Sequence, residues 1–265
     1  MKLSLSELEN HKVVQLTQDN MISLMRFWAS CTSYFQAIED EKIFRVKSSL
    51  PHPLVNNIIK SNIEQGALEF VKTTIQDYKE HHIPFLWRLW DHDTPQDIGN
   101  ILIDNSALQI HNTVLMAIDL ASFQPLSELL PDLKIQAVRN HEGAAAFTVC
   151  SSAAFGIPDF LRNAVTETMA KQDQNIENYV GYLGGTAVTT ATSFYSDGIA
   201  GIYNVSTLPE FQGKGMGMEI MTALLLKAKL DGYKMAILHA TPAGIRLYEK
   251  LGFHKYGEMR QFLFS

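Results

Sequence analysis

The chain has 265 residues, 46% of them hydrophobic and 19% charged, with a formal net charge of −6. This is the composition of a folded globular chain with room for one large or two small domains, which excludes a disordered or low-complexity protein. The negative balance argues against a nucleic-acid or anionic-membrane partner, and no apolar stretch approaches the roughly 20 residues of a membrane helix.

The first residues, Met1-Lys-Leu-Ser-Leu-Ser-Glu7, contain no long apolar run, so a cytoplasmic protein is expected. Leu68 to Tyr78 has helical spacing. Ile83 to Trp90 reads as a strand, Thr94-Pro95 follows, a helix is expected over Gln96–Asp104, and Val114–Leu120 ends the unit as another strand. The segment from Ala121 to Ile135 carries two prolines and polar punctuation and reads as a join. It divides the chain into domains at 1–125 and 132–265. Lys134 to Val138 is a strand, and Phe155 to Lys171 reads as a helix with Pro158 near its start. Tyr179–Leu183 and Thr186–Tyr195 are strands joined by Gly184-Gly185, and Ser196-Asp-Gly198 turns into a third, up to Thr207.

The next residues, Pro209-Glu-Phe-Gln-Gly-Lys-Gly-Met-Gly217, lie between that strand and a helix expected over Met218–Leu230. Gly213, Gly215 and Gly217 remove side chains where a ligand would approach the backbone. Successive N–H groups at a helix N-terminus, helped by its macrodipole, suit a phosphate. The spacing is not that of a P-loop, because Gly215 follows Lys214 where Ser or Thr is needed. Nor is it a dinucleotide fingerprint, because Met218 takes the place of the third small residue. Gly232 ends the helix, Lys234–Ala240 is a buried strand, and Thr241-Pro242 is expected to cap a last helix that Gly252 terminates.

Gln212-x-x-Gly215-x-Gly217, followed by Leu247-Tyr-Glu-Lys-Leu-Gly-Phe253, resembles the GNAT family of acyl-CoA-dependent N-acetyltransferases. The resemblance runs from about Tyr179 to the C-terminus. It implies the acyl-CoA N-acyltransferase fold, an α/β (α+β) architecture with a mixed, mostly antiparallel sheet flanked by helices. It implies acetyl-CoA as co-substrate and an amine acceptor. The backbone of Gln212, Gly213, Lys214, Gly215, Met216, Gly217 and Met218 would hold pyrophosphate, and Val205, Ser206 and Thr207 would pair with the pantetheine amides. Tyr248 would serve the leaving thiolate as an acid. The order helix, strand, Thr-Pro, helix, strand occurs in both halves, which reads as a duplication whose N-terminal copy lacks the glycine loop.

The acceptor's base is not visible. No acidic residue lies near Gly201, Asp197 reads as a turn residue, Tyr203 and Asn204 are neutral candidates for binding substrate or water, and His239 at its strand end reads as structural. The alternative is a non-catalytic acyl-CoA-binding sensor or scaffold. The nine histidines form no metal-ligand spacing, so no metal is expected, and Cys31 and Cys150 read as reduced thiols. The acceptor and the oligomeric state stay open.

Overall fold

The computed structural model describes residues 2–125, 130 and 132–265. The expected join falls partly outside them, at 126–129 and 131. The first elements are α1 (Asn10–Cys31), β1 (Phe35–Glu39), β2 (Ile43–Ser48), β3 (Asn57–Ser61) and α2 (Ala67–Glu80). Then come β4 (Phe85–Leu89), α3 (Ile98–Asp104), β5 (Leu108–Gln109) and β6 (Thr113–Asp119). The sequence does not announce α1, because Thr17, Gln18 and Asn20 interrupt its apolar face and are themselves buried.

The later elements are β7 (Leu133–Ala137), α4 (His141–Phe155), α5 (Arg162–Ala170), β8 (Ile176–Leu183), β9 (Thr186–Ser196) and β10 (Ile199–Thr207). They continue with α6 (Met216–Leu230), β11 (Met235–Ala240), α7 (Ile245–Leu251) and β12 (His254–Phe264). Two expectations are corrected here. The helix expected over Phe155–Lys171 is broken, because Gly156 ends α4 in a left-handed conformation and Pro158 follows before α5 begins at Arg162. Helix α4 precedes the break, capped by Asn140, whose side-chain oxygen accepts the Gly143 N–H at 2.9 Å. Its small residues give little amphipathic signal. Thr241-Pro242 also does not cap α7. Gly244 N–H donates to Thr241 O (2.9 Å), making a turn, and the helix starts at Ile245.

Two compact units result, Met1–Val13 with Met116–Lys255, and Val14–Leu115 with Tyr256–Ser265. In the second, the strand order is β1-β2-β3-β4-β12; in the first it is β6-β11-β10-β9-β8-β7. Each repeats one plan: antiparallel strands, then a helix crossover to a parallel neighbour, β3 to β4 through α2 and β10 to β11 through α6. The strand expected to end the first copy, β6, borders β11, while β12 pairs antiparallel with β4. The last strands are thus exchanged between the two copies.

Phe262 and Phe264 of β12 complete the core formed by Phe85, Trp87 and Leu89 with α2 and α3. Phe262 is fully buried. Phe262→Ala should cost about 3–5 kcal/mol. Hydrogen exchange should quicken in β4, distant in sequence, and change little in β8 to β10. Exchange that quickens first in β11 would contradict this assignment.

Candidate functional site

Strand β10 pairs with β11 only over Ala200↔Ala236, Gly201↔Ile237 and Ile202↔Leu238. On its other side it pairs with β9 to the end, but with a register shift between Tyr203 and Ser206. Asn204 sits in this bulge at φ 51, a left-handed conformation that Asn tolerates better than most residues. Among the described residues the pairing of β10 with β11 ends at Ile202, so β11 does not cover the edge of β10 at Val205–Thr207. β9 holds the departing strand. Thr190 Oγ1 donates to Asn204 O (3.0 Å), and Thr189 Oγ1 donates to Ser206 O (2.6 Å). The Thr-rich run of β9 alternates poorly because both of its faces are buried.

Ser206 is buried with its hydroxyl 2.6 Å from Thr190 Oγ1, so only its backbone can face a ligand. Val205 and Thr207 are half-buried. Gln212 ties the loop to the strand, Nε2 donating to Thr207 O at 3.1 Å. Gly213 and Gly215 have φ of 72 and 87. No atom would meet a Cβ on Gly213, so that face is open. Gly217 has another role: its Cβ would come within 3.2 Å of Leu247 Cδ2, so it lets α7 pack on α6. Met216 is buried in the core beside Leu133 and Val188, leaving its backbone to serve a ligand, and Met218 is half-buried. Lys214 is exposed, its Nζ 5.3 Å from the centre of the Phe211 ring.

Glu219 N–H donates to Gly215 O at 3.0 Å, closing the first turn of α6. The N–H groups before it point out of the helix end, where partial positive charge collects. The loop and this helix end therefore form a cradle for an anion.

Tyr248 is 7% exposed, edge-on to Phe253 with ring centres 5.9 Å apart. Gly244 makes room for its ring: a Cβ there would lie 2.7 Å from Cε2. Burial pushes the phenol up to about 12. Tyr203 meets the His239 ring edge-on at 5.7 Å, and burial raises its phenol too. Asn204 Nδ2 donates to Thr192 Oγ1 (3.1 Å), which donates to Asn178 Oδ1 (2.7 Å). This buried neutral chain was not legible in the sequence. Asp197 lies in the Asp-Gly turn at φ 52. Both cysteines are free thiols, and among the described residues no three His, Cys, Asp or Glu side chains cluster as metal ligands. No helix of the described residues is long and apolar enough to cross a membrane.

The equivalent opening in the other unit is sealed. Here too the strand pairing ends early, after Asn57↔Leu86 and Ile58↔Trp87, but the chain beyond β4 bridges back to β3: Thr94 N–H donates to Ser61 O (3.1 Å) and Ile63 N–H to Thr94 O (2.9 Å). The Trp90 indole donates to Ile59 O at 2.7 Å, and the Trp87 indole to Ser61 Oγ at 2.8 Å. Asp93, 3% exposed, accepts the Trp90 N–H at 3.1 Å and Gln18 Nε2 at 3.3 Å. Before α2 a single glycine, Gly66 at φ 70, stands in place of the glycine loop, and Ile63 ahead of it is buried in the core.

Comparison with known proteins agrees with this geometry. The sequence pattern of the acetyltransferase (GNAT) domain matches residues 168–255. No protein with curated annotation matches the chain in sequence. A GCN5-related N-acetyltransferase from Kribbella flavida has a similar structure, with a TM-score of 0.69, 13% identity and 95% of each chain covered. A GCN5-related N-acetyltransferase from Sphaerobacter thermophilus reaches a TM-score of 0.63 at 13% identity, over 84% of this chain and 80% of that one. A tandem GNAT protein from the clavulanic acid biosynthesis pathway reaches 0.58 at 10% identity, over 84% and 78%. Residues 168–255 thus carry a GNAT domain, a family of acyltransferases, and the chain has that fold in duplicate.

Two outcomes are expected. Gly215→Glu puts a charged side chain at a left-handed position in the cradle, and should abolish acetyl-CoA affinity while the chain still unfolds cooperatively within a few degrees of wild type. A folded variant with wild-type affinity in calorimetry would refute the cradle. Burial is the largest influence on Asp93 and raises its pKa from 3.8 to about 7, against N–H donors that favour the charged form. The protonated carboxyl therefore contributes stability fully below about pH 4, and that contribution is lost as pH rises towards about 7. The stability difference between wild type and Asp93→Asn should change across that window and be flat above it, measured by urea unfolding at each pH.

Proposed function

We propose that this chain is an N-acetyltransferase that moves the acetyl group of acetyl-CoA to a primary amine of a small molecule. The observation that carries the reading is the parting of β10 from β11 directly before a glycine cradle at the N-terminus of α6. An extended pantetheine arm fits the edge of β10 at Val205–Thr207, and a pyrophosphate fits the N–H groups from Gln212 to Met218. The sealed opening between β3 and β4 makes the other unit a degenerate copy without a cofactor site, so about one acetyl-CoA should bind per chain.

Acetyl-CoA supplies a thioester carbonyl that the neutral amine attacks, and the carbon–sulfur bond then breaks. Tyr248 faces the resulting thiolate. Its pKa of about 12 lies above the ordinary thiol value of about 8.5. Handing a proton to a finished thiolate is uphill, so the phenol acts while the bond breaks, donating a hydrogen bond to the sulfur as charge develops. β10 carries no acidic side chain to take the acceptor's ammonium proton. Tyr203 and Asn204 would orient the amine or a water, and the proton leaves to solvent.

That same lack of an acid favours a second reading, a domain that binds acyl-CoA without turnover. One experiment separates them. Wild type and Tyr248→Phe are titrated with acetyl-CoA by calorimetry and assayed against a panel of small amines. About one site per chain in both, and turnover reduced roughly 10²- to 10⁴-fold in the variant, are expected. Binding with no acetylated amine in the panel points to the second reading, and two sites or none overturns both. Turnover of Tyr248→Phe close to wild type makes Tyr248 a packing residue.

A further inference from the structure

We propose that Arg88, in the unit without the glycine cradle, is a binding site for the carboxylate group of a small molecule. The inference stands apart from the transferase reading. Arg88 is on β4 between Leu86 and Trp90, so by strand alternation its side chain leaves the sheet on their face. That face carries Phe44, Val46, Ile59, Trp90 and Met259, with the neutral amides of Gln18, Asn57 and Gln261 among them. A guanidinium drawn into such a surface is costly unless an acid or several acceptors offset it.

Neither is present. Among the described residues, the one hydrogen bond of this side chain runs from Nε to Asn57 Oδ1, at 3.0 Å. No ion pair of the described residues includes it. The surrounding elements explain why. Its register partner on β12 is Gln261, a neutral side chain occupied with Thr113 Oγ1 at 2.9 Å. Glu258 alternates to the opposite face and accepts from Asn112 Nδ2 at 2.8 Å. The one acid of α1, Asp19, accepts from Gln15 Nε2 at 3.0 Å. Burial lowers the pKa of Arg88 to about 10, so the group remains a cation at neutral pH.

The single partner is also held in place. Asn57 is 1% exposed, and its Nδ2 donates to Pro53 O (3.1 Å) and Leu54 O (3.0 Å), which turns its oxygen towards Arg88. With Nε fixed in this way, Nη1 and Nη2 form the free end of the guanidinium. Arg88 as a whole is half-buried, and neither nitrogen is among the buried atoms lacking a partner. Two parallel N–H groups at one end of a fixed guanidinium match the two oxygens of a carboxylate. A cation kept unpaired on such a face, at a cost to stability, is the pattern of a binding residue rather than a structural one.

The test is thermal unfolding of the full chain at constant ionic strength in sodium chloride, sodium acetate and sodium phosphate. Wild type, Arg88→Met and Arg88→Lys are compared. Acetate should raise the melting temperature of wild type by a few degrees over chloride. Arg88→Met should lose that response and, in chloride, melt at or above wild type because an unpaired charge has gone. Arg88→Lys keeps the charge without the fork and should lose most of the response. Equal stabilisation of wild type and Arg88→Met by acetate overturns the proposal. So does a larger shift with phosphate than with acetate. An Arg88→Met chain that melts well below wild type, or does not fold, makes Arg88 structural and ends the idea.

Discussion

The bulge at Asn204 is the constraint on which the rest of the site depends. A parallel pair of strands normally stays paired to its end, and a paired edge has no hydrogen bonds to offer a ligand. One extra residue on β10 breaks the register with β9 and turns the strand away from β11 after Ile202. The threonine hydroxyls of β9 then satisfy the carbonyls that the bulge would leave unmet. The left-handed backbone at Asn204 is local strain that the surrounding hydrogen bonds retain. The glycine loop and the N-terminus of α6 follow directly on this opening, so a helix end adjoins a parted strand edge.

The two units show the same plan resolved in opposite ways. Past the short β3–β4 pairing, Thr94 bridges back to Ser61 and Ile63, and the indoles of Trp87 and Trp90 meet the Ser61 hydroxyl and the Ile59 carbonyl. The residues that close the strands also fill the core, so Ile63 lies where a cradle would begin. Arg88 stands apart from this closure, a charge with no ion pair among the described residues.

Much of this was legible in the sequence where local chemistry decides it. The turn at Asp197-Gly198, the left-handed glycines of the cradle, and the strand–loop–helix order follow from residue type and spacing. The duplication was legible from the recurrence of helix, strand and Thr-Pro. What escaped depends on partners distant in the chain. Helix α4 carries small residues whose burial is set by the sheet beneath it. The bulge leaves no signature, because Asn204 looks like any polar strand residue until its register with Thr192 and Thr190 is known. Thr241-Pro242 has the composition of a cap, yet Gly244 N–H bonds back to Thr241 O in a turn, and α7 starts only at Ile245. The exchange of β6 and β12 is invisible to any local argument, since both strands suit either sheet.

That exchange bears on how the protein is made. β4 emerges from the ribosome long before β12, and every strand from β7 to β11 is synthesised in between. The N-terminal sheet therefore waits, with the partners of Phe85, Trp87 and Leu89 missing, while the other unit is translated. Closing so long a loop adds little entropy for each further residue, but contacts of such sequence separation form late. During that wait the exposed edge of β4 is open to association with other nascent chains. A gene cut at the join would not yield two independent proteins, because each fragment would carry the strand that finishes its neighbour.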